Sequence, residues 1–253
     1  MVNGLWRIMI DKHGEELRRF QRMLDSAFSG GATSSGKPED RIVFPLLVCC
    51  RDIFEEICFA LRDGFGRAAL RAVRTMYECV VVARFLHLHP ETADGYLDKF
   101  YVQWAKISQH LGADDLSAEF ESKLRMHVPK YAEGKRVGMQ DLDWSGKHTF
   151  EMAKEAGQLA DLHPLAFDLA SAYIHPSAVL FMSAFTAGQT EGALSVGENK
   201  QEEEAKFAIM FGCDLMLNAV DLRLKYAPSD GLQDLLDECK ADFFRIWGHA
   251  PHL

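Results

Sequence analysis

The sequence predicts an all-α protein, a single helical bundle of about eight or nine helices. Three observations predict it. Apolar residues recur at three- and four-residue spacing along most of the 253-residue chain, the period of one helix face. No run alternates apolar and polar residues between hairpin turns, so strands are not expected. The breaks fall at glycine, proline and polar clusters about a helix length apart. A hydrophobic share of 48% over this length is enough for one large core, and no repeat or linker divides residues 1–253 into smaller domains.

Each element follows from local chemistry. Asn3 is placed to cap a first helix that reaches about Ser29. The stretch SGGATSSGKPED (29–40) is a loop, and Pro38 with the acids after it suits the first turn of a second helix that slackens near Gly64. A third helix, GRAALRAVRTMYECVVVARFLHLH, stops before Pro90, because a residue preceding proline is pushed out of the α region. Pro90 then favours the start of a fourth, which ends at Gly112. A fifth begins near Asp114 and Asp115 and fades around Tyr131, and 132–148 is a long polar connection. Two helices cover about 149–162 and 165–187, with 188–197 a loop. A long helix then runs through NKQEEEAKFAIMFGCDLMLNAVDLRLKYA, with acids in its first turn as the helix dipole favours. The last fills about 230–247.

Charge and composition exclude several function classes. A net charge of −9 argues against broad nucleic-acid binding, which rests on Lys and Arg neutralising phosphates. The most apolar run, CVVVARFLHL, is interrupted by Arg84 and too short to span a bilayer, and the first residues lack a secretory pattern. Cys49, Cys50, Cys58, Cys79, Cys213 and Cys239 form no C-x-x-C pair and read as buried small hydrophobes. A reducing cytoplasm is the expected compartment. No metal site is expected, since His87 and His89 diverge on a helix, and no glycine-rich phosphate loop or other cofactor signature appears.

Three features carry polar chemistry. On the third helix Arg67, Arg71, Arg74 and Glu78 fall on one narrow stripe, beside an apolar arc of Leu70, Val73, Tyr77, Val80 and Val81. Glu78 pairs with one arginine and leaves a cationic excess. The stripe is either an ion-paired network closed by acids of another helix or a pocket for a phosphate or carboxylate. The loop DLDWSGKH brings Trp144, Ser145, Lys147 and His148 together, with Trp144 a candidate anchor, Gly146 a tight turn and Ser145 a candidate cap. In LASAYIHPSAVLF, Pro176 breaks the helix beside His175, freeing that ring for acid–base or ligand chemistry. Asp168 and Ser171 share its face, but the spacing to Asp168 does not make a triad.

With these motifs together, the chain resembles an uncharacterised family of bacterial all-helical proteins, a domain of unknown function. The resemblance rests on an R-x-x-x-E helix (Arg74–Glu78), a W-x-G loop (Trp144–Gly146) and a Tyr–His element matched approximately by Tyr173 and His175. It covers about 45–187, with the helix 4–29 and the helices of 198–247 packing on that core, and implies that the three motifs converge. More distantly, the chain is similar to HEPN-type helical ribonucleases of toxin–antitoxin and phage-defence systems, which carry R-x(4–6)-H on one helix. No arginine lies within six residues before His175, whereas Arg84–His89, Arg7–His13 and Arg245–His252 have the spacing by number alone. The expected function is therefore a ligand- or partner-binding module. Its site is Arg67, Arg71, Arg74, Glu78, Trp144, Lys147, Tyr173 and His175. The partner is a small anion or RNA, and a homodimer is compatible. The alternative is a metal-independent endoribonuclease with His175, Arg74 and Glu78 as the catalytic candidates.

Overall fold

The computed structural model describes residues 4–29, 40–98, 122, 145–174, 185–187, 194–196 and 201–253. Its helices are α1 (Gly4–Phe28), α2 (Asp40–Arg62), α3 (Gly66–Leu88), α4 (Thr149–Glu155), α5 (Leu159–Leu162), α6 (Ala170–Ile174), α7 (Glu202–Tyr226) and α8 (Asp230–Trp247). A π-helical segment, His163–Leu169, joins α5 to α6, and a 3-10 turn, Pro90–Thr92, follows α3. The all-α reading holds.

The core is a three-helix centre with two outer layers. α2, α3 and α7 pack on one another, α1 and α8 pair on the far side of α7, and α4, the π segment and α6 lie along α3. Leu70, Val73, Tyr77, Val80 and Val81 of α3 are fully buried, as the apolar arc requires. α7 is central too, with every residue from Asp214 to Val220 buried. A helix enclosed on all sides does not show a one-sided pattern. The close fit of α3 to α7 depends on Gly66, where an added Cβ would lie 2.3 Å from the Gln201 carbonyl oxygen and 2.7 Å from the Ala205 nitrogen.

Several boundaries correct the sequence reading. The expected helix over 149–162 breaks at Gly157, whose φ of +93° is left-handed backbone that glycine adopts just past a helix end. The expected break at Pro164 does not occur, because the chain runs through it as the π segment. Residues 185–187, assigned to a helix, form a strand paired antiparallel with 194–196 in the register Phe185 to Val196, Thr186 to Ser195 and Ala187 to Leu194. Three residues are too few to reveal a period of two. His148, not Ser145, occupies the cap position of α4; its backbone N–H donates to Glu151 Oε2 at 2.9 Å. The cysteines are not uniformly buried: Cys50 and Cys239 are, Cys58, Cys79 and Cys213 are half-buried, and Cys49 is exposed. Asn3, the body of the fourth helix past 98, the fifth helix apart from residue 122, Trp144, His175 and Pro176 lie outside the described residues.

Candidate functional site

The arginines of α3 meet three different partners. At the helix start the Arg67 N–H donates to Gln201 Oε1 at 2.8 Å, and its Nε lies 3.2 Å from Glu204 Oε1. The Tyr173 hydroxyl reaches the same carboxylate; burial and then the charge of Glu204 push this phenol above its ordinary range. One turn on, Arg71 Nε donates to the Tyr173 carbonyl at 2.7 Å, while the residue as a whole stays exposed. Among the described residues no carboxylate pairs with Arg71. Arg74 lies 3.6 Å from Glu78 Oε1, and its guanidinium sits 4.5 Å from the ring centre of Phe167. Arg67, Arg71, Arg74, Glu78 and Tyr173 therefore share one face, along α3 and the end of α6.

The π segment builds the second half of this face. Pro164 has no N–H, and its ring cannot sit over a regular α turn, so the turn widens. The His163 N–H reaches the Ala160 carbonyl, the acceptor that an N–H at position 164 would serve in a regular helix. The Tyr77 hydroxyl donates to the Leu159 carbonyl at 3.0 Å. Its single proton spent there, the phenol oxygen accepts from His163 Nδ1–H at 3.1 Å. That leaves the lone pair of the neutral imidazole on Nε2, which faces Asp168 Oδ1 at 3.8 Å. Burial lowers the His163 pKa, with Asp168 opposing it; burial also raises that of Tyr77. The His163 ring stacks on Phe167 (4.6 Å, 17°) and lies 4.9 Å from Phe150, whose other contact is Lys154 at 4.4 Å. A column of rings thus runs from Arg74 to Lys154.

The loop after Trp144 turns at Gly146, as expected, with a φ of +73°. Ser145 folds the loop by accepting from the Lys147 N–H at 3.2 Å. Lys147 does not join the arginines. Its ammonium binds Glu155, which also accepts from His89 Nε2 at 2.8 Å, and the lysine holds that carboxyl below the usual carboxylate range. Ser171 donates to the Phe167 carbonyl in the preceding π segment, and Asp168 faces His163. Among the described residues no three His, Cys, Asp or Glu side chains gather where a metal ion is held. Nor is any helix there long and apolar enough to cross a membrane.

Residues 40–191 match the family of unknown function DUF5677. The chain belongs to that family. No curated protein and no solved structure matches the chain. The DUF5677 segment holds α2, α3, α4, the π segment and α6, and hence Arg67, Arg71, Arg74, Glu78, Lys147 and Tyr173. Gln201 and Glu204, which fix Arg67, lie beyond it on the approach to α7 and in its first turn.

Sequence reasoning missed His163, Phe167 and Glu204. A signal existed for the first: His163-Pro164 repeats, twelve residues earlier, the His175-Pro176 pair that drew attention. For Glu204 there was none, because nothing in EEEAK says which acid of a helix start turns inward.

Proposed function

We propose that this chain is a binding module whose α3 face takes a small anionic ligand, or an anionic side chain of a partner segment, at Arg71. The observation that supports it is the position of this guanidinium. Arg71 is held by a neutral carbonyl through one nitrogen, stands exposed, and lies between two arginines that each have a carboxylate nearby. Among the described residues, three cations face two carboxylates, Glu78 and Glu204, and Arg71 is the one that pairs with neither. A guanidinium fixed at Nε presents its terminal nitrogens side by side, the geometry that grips a carboxylate or phosphate in two places.

In this reading Arg67 with Glu204, and Arg74 with Glu78 and Phe167, build the walls, while Arg71 makes the contact. The ring column of Phe167, His163 and Phe150 completes the face. Lys147 is a structural residue of the neighbouring loop. We take the compartment to be a reducing cytoplasm, in keeping with six thiols that are all unbridged.

A thermal-shift screen over inorganic phosphates, nucleotides and dicarboxylates tests the reading, since a ligand that binds only the folded state raises the melting temperature. At least one anion is expected to stabilise the wild type and to lose that effect in Arg71→Ala. No anion-dependent shift, or a shift that Arg71→Ala keeps, contradicts it. The ribonuclease reading gains no support from the pairs with suitable spacing. Arg84 is committed to Asp221, His89 to Glu155, Arg245 to Asp242 and Glu16, and His252 to Asp214. The side chain of Arg7 lies outside the described residues. RNA cleavage that persists in EDTA and vanishes in His175→Ala would restore that reading.

A further inference from the structure

A second polar centre lies at the opposite end of α3, in a cleft of about 490 Å³ walled by α3, the end of α4, α7, α8 and Leu253. Arg71 and Arg84 are thirteen residues apart, about 20 Å along a helix rising 1.5 Å per residue, so the two centres are separate.

Arg84 is buried at 7% exposure and fixed from below, with Nη2 donating to Asp221 Oδ2 at 2.8 Å and to the Asn218 carbonyl at 3.1 Å. That one carboxylate already neutralises Arg84, yet two more cations approach it: Lys225 Nζ at 3.3 Å and, from α8, Lys240 Nζ at 3.9 Å. One further acid answers part of this charge, so that among the described residues a single positive charge is left over. Asp237, at an exposed position, pairs with Lys240 at 3.5 Å and accepts from Gln233 Nε2 at 3.0 Å, and Glu155 on the far wall is held by Lys147 and His89. Charged side chains cluster this way at a cost unless something offsets the excess. Leu88, Ala156 and Leu253 line the rest of the cleft and give it an apolar wall.

We infer that this cleft binds a small phosphate monoester, with the phosphate against Lys225, Lys240 and Arg84 and the organic group against Leu88 and Leu253. An anionic phosphate answers the positive charge that Asp221 and Asp237 leave among Arg84, Lys225 and Lys240, and lysine serves phosphate as a point charge. The volume falls in the range of small-molecule sites, and a bare phosphate would leave the apolar wall uncovered.

Calorimetric titration of phenyl phosphate and of inorganic phosphate into the full chain tests this. Phenyl phosphate is expected to bind saturably at one site and more tightly than inorganic phosphate. Affinity is expected to fall roughly tenfold or more in Lys225→Ala/Lys240→Ala, as the loss of charge-assisted contacts requires, and to stay unchanged in Arg71→Ala. Absence of saturable binding, or equal affinity in the lysine variant, overturns the inference. Binding that Arg71→Ala removes and the lysine variant keeps also overturns it, while supporting the α3 face. Should the double variant lose its cooperative unfolding, Lys240→Gln alone gives the same reading.

Discussion

Pro164 sits in a widened turn, and Tyr77 ties that turn to α3. A phenol inside α3 would be a costly choice for packing alone; its value here is that its proton closes the Leu159 carbonyl while its oxygen receives His163. Tyr77→Phe keeps the ring and removes both bonds. It is expected to lower unfolding free energy in urea by about 1–3 kcal/mol, the cost of leaving buried polar groups unpaired. A second residue-scale prediction concerns His252. Its N–H and Nδ1 reach the buried Asp214 at 2.9 and 2.7 Å, while Asn218 Nδ2 donates to its carbonyl at 2.6 Å. The bond to Asp214 is the main cause of a raised pKa; burial opposes it, Asp161 adds to it, and His249 stands 5.7 Å away ring to ring. A raised folded-state pKa means that this contribution is complete below the ordinary histidine value of about 6.5 and is lost as pH rises through the folded value. Urea midpoints should therefore fall from pH 5.5 towards 8.5 (roughly one unit or more either side of the ordinary histidine pKa) more steeply in the wild type than in His252→Ala. Parallel pH profiles would count against the pair.

Most elements were legible because their signals are local. α3 ends at Leu88 because Pro90 follows, and α2 ends just short of Gly64, whose φ is +89°. The missed features are those in which a distant element decides the outcome. Nothing local distinguishes a break at Pro164 from a widened turn; Tyr77, on another helix, bonds both the Leu159 carbonyl and His163 there. Within the site, the stripe of Arg67, Arg71, Arg74 and Glu78 was readable from spacing, but the partners of the arginines were not, since Glu204 and the Tyr173 carbonyl approach across the fold. Gly66 is another such case. It reads as a weak helix start, yet it is the point where α3 meets the Gln201 carbonyl. Gly66→Ala is expected to destabilise by about 1–3 kcal/mol through overpacking and to displace Arg67 from Glu204. An unchanged melting temperature would show that the contact yields freely.

For the molecule as a whole, the packing extends beyond the family segment. α7 lies outside residues 40–191 yet buries fourteen residues against the rest, and it faces both α2 and α3. A fragment of 40–191 is expected to lack a cooperative thermal transition, and a sharp one would contradict this packing account. The proposed function separates a structural arginine from a ligand-binding one. Arg67→Ala leaves Glu204 half-buried and unpaired by Arg67, which costs stability, whereas Arg71 donates one bond from an exposed position. The most direct measurement is the unfolding free energy of Arg71→Ala without ligand, by urea titration. A loss under about 1 kcal/mol, as for ordinary surface positions, is the result expected of a residue held ready for a ligand. A loss of about 3 kcal/mol or more would make Arg71 part of a structural network and contradict the binding role.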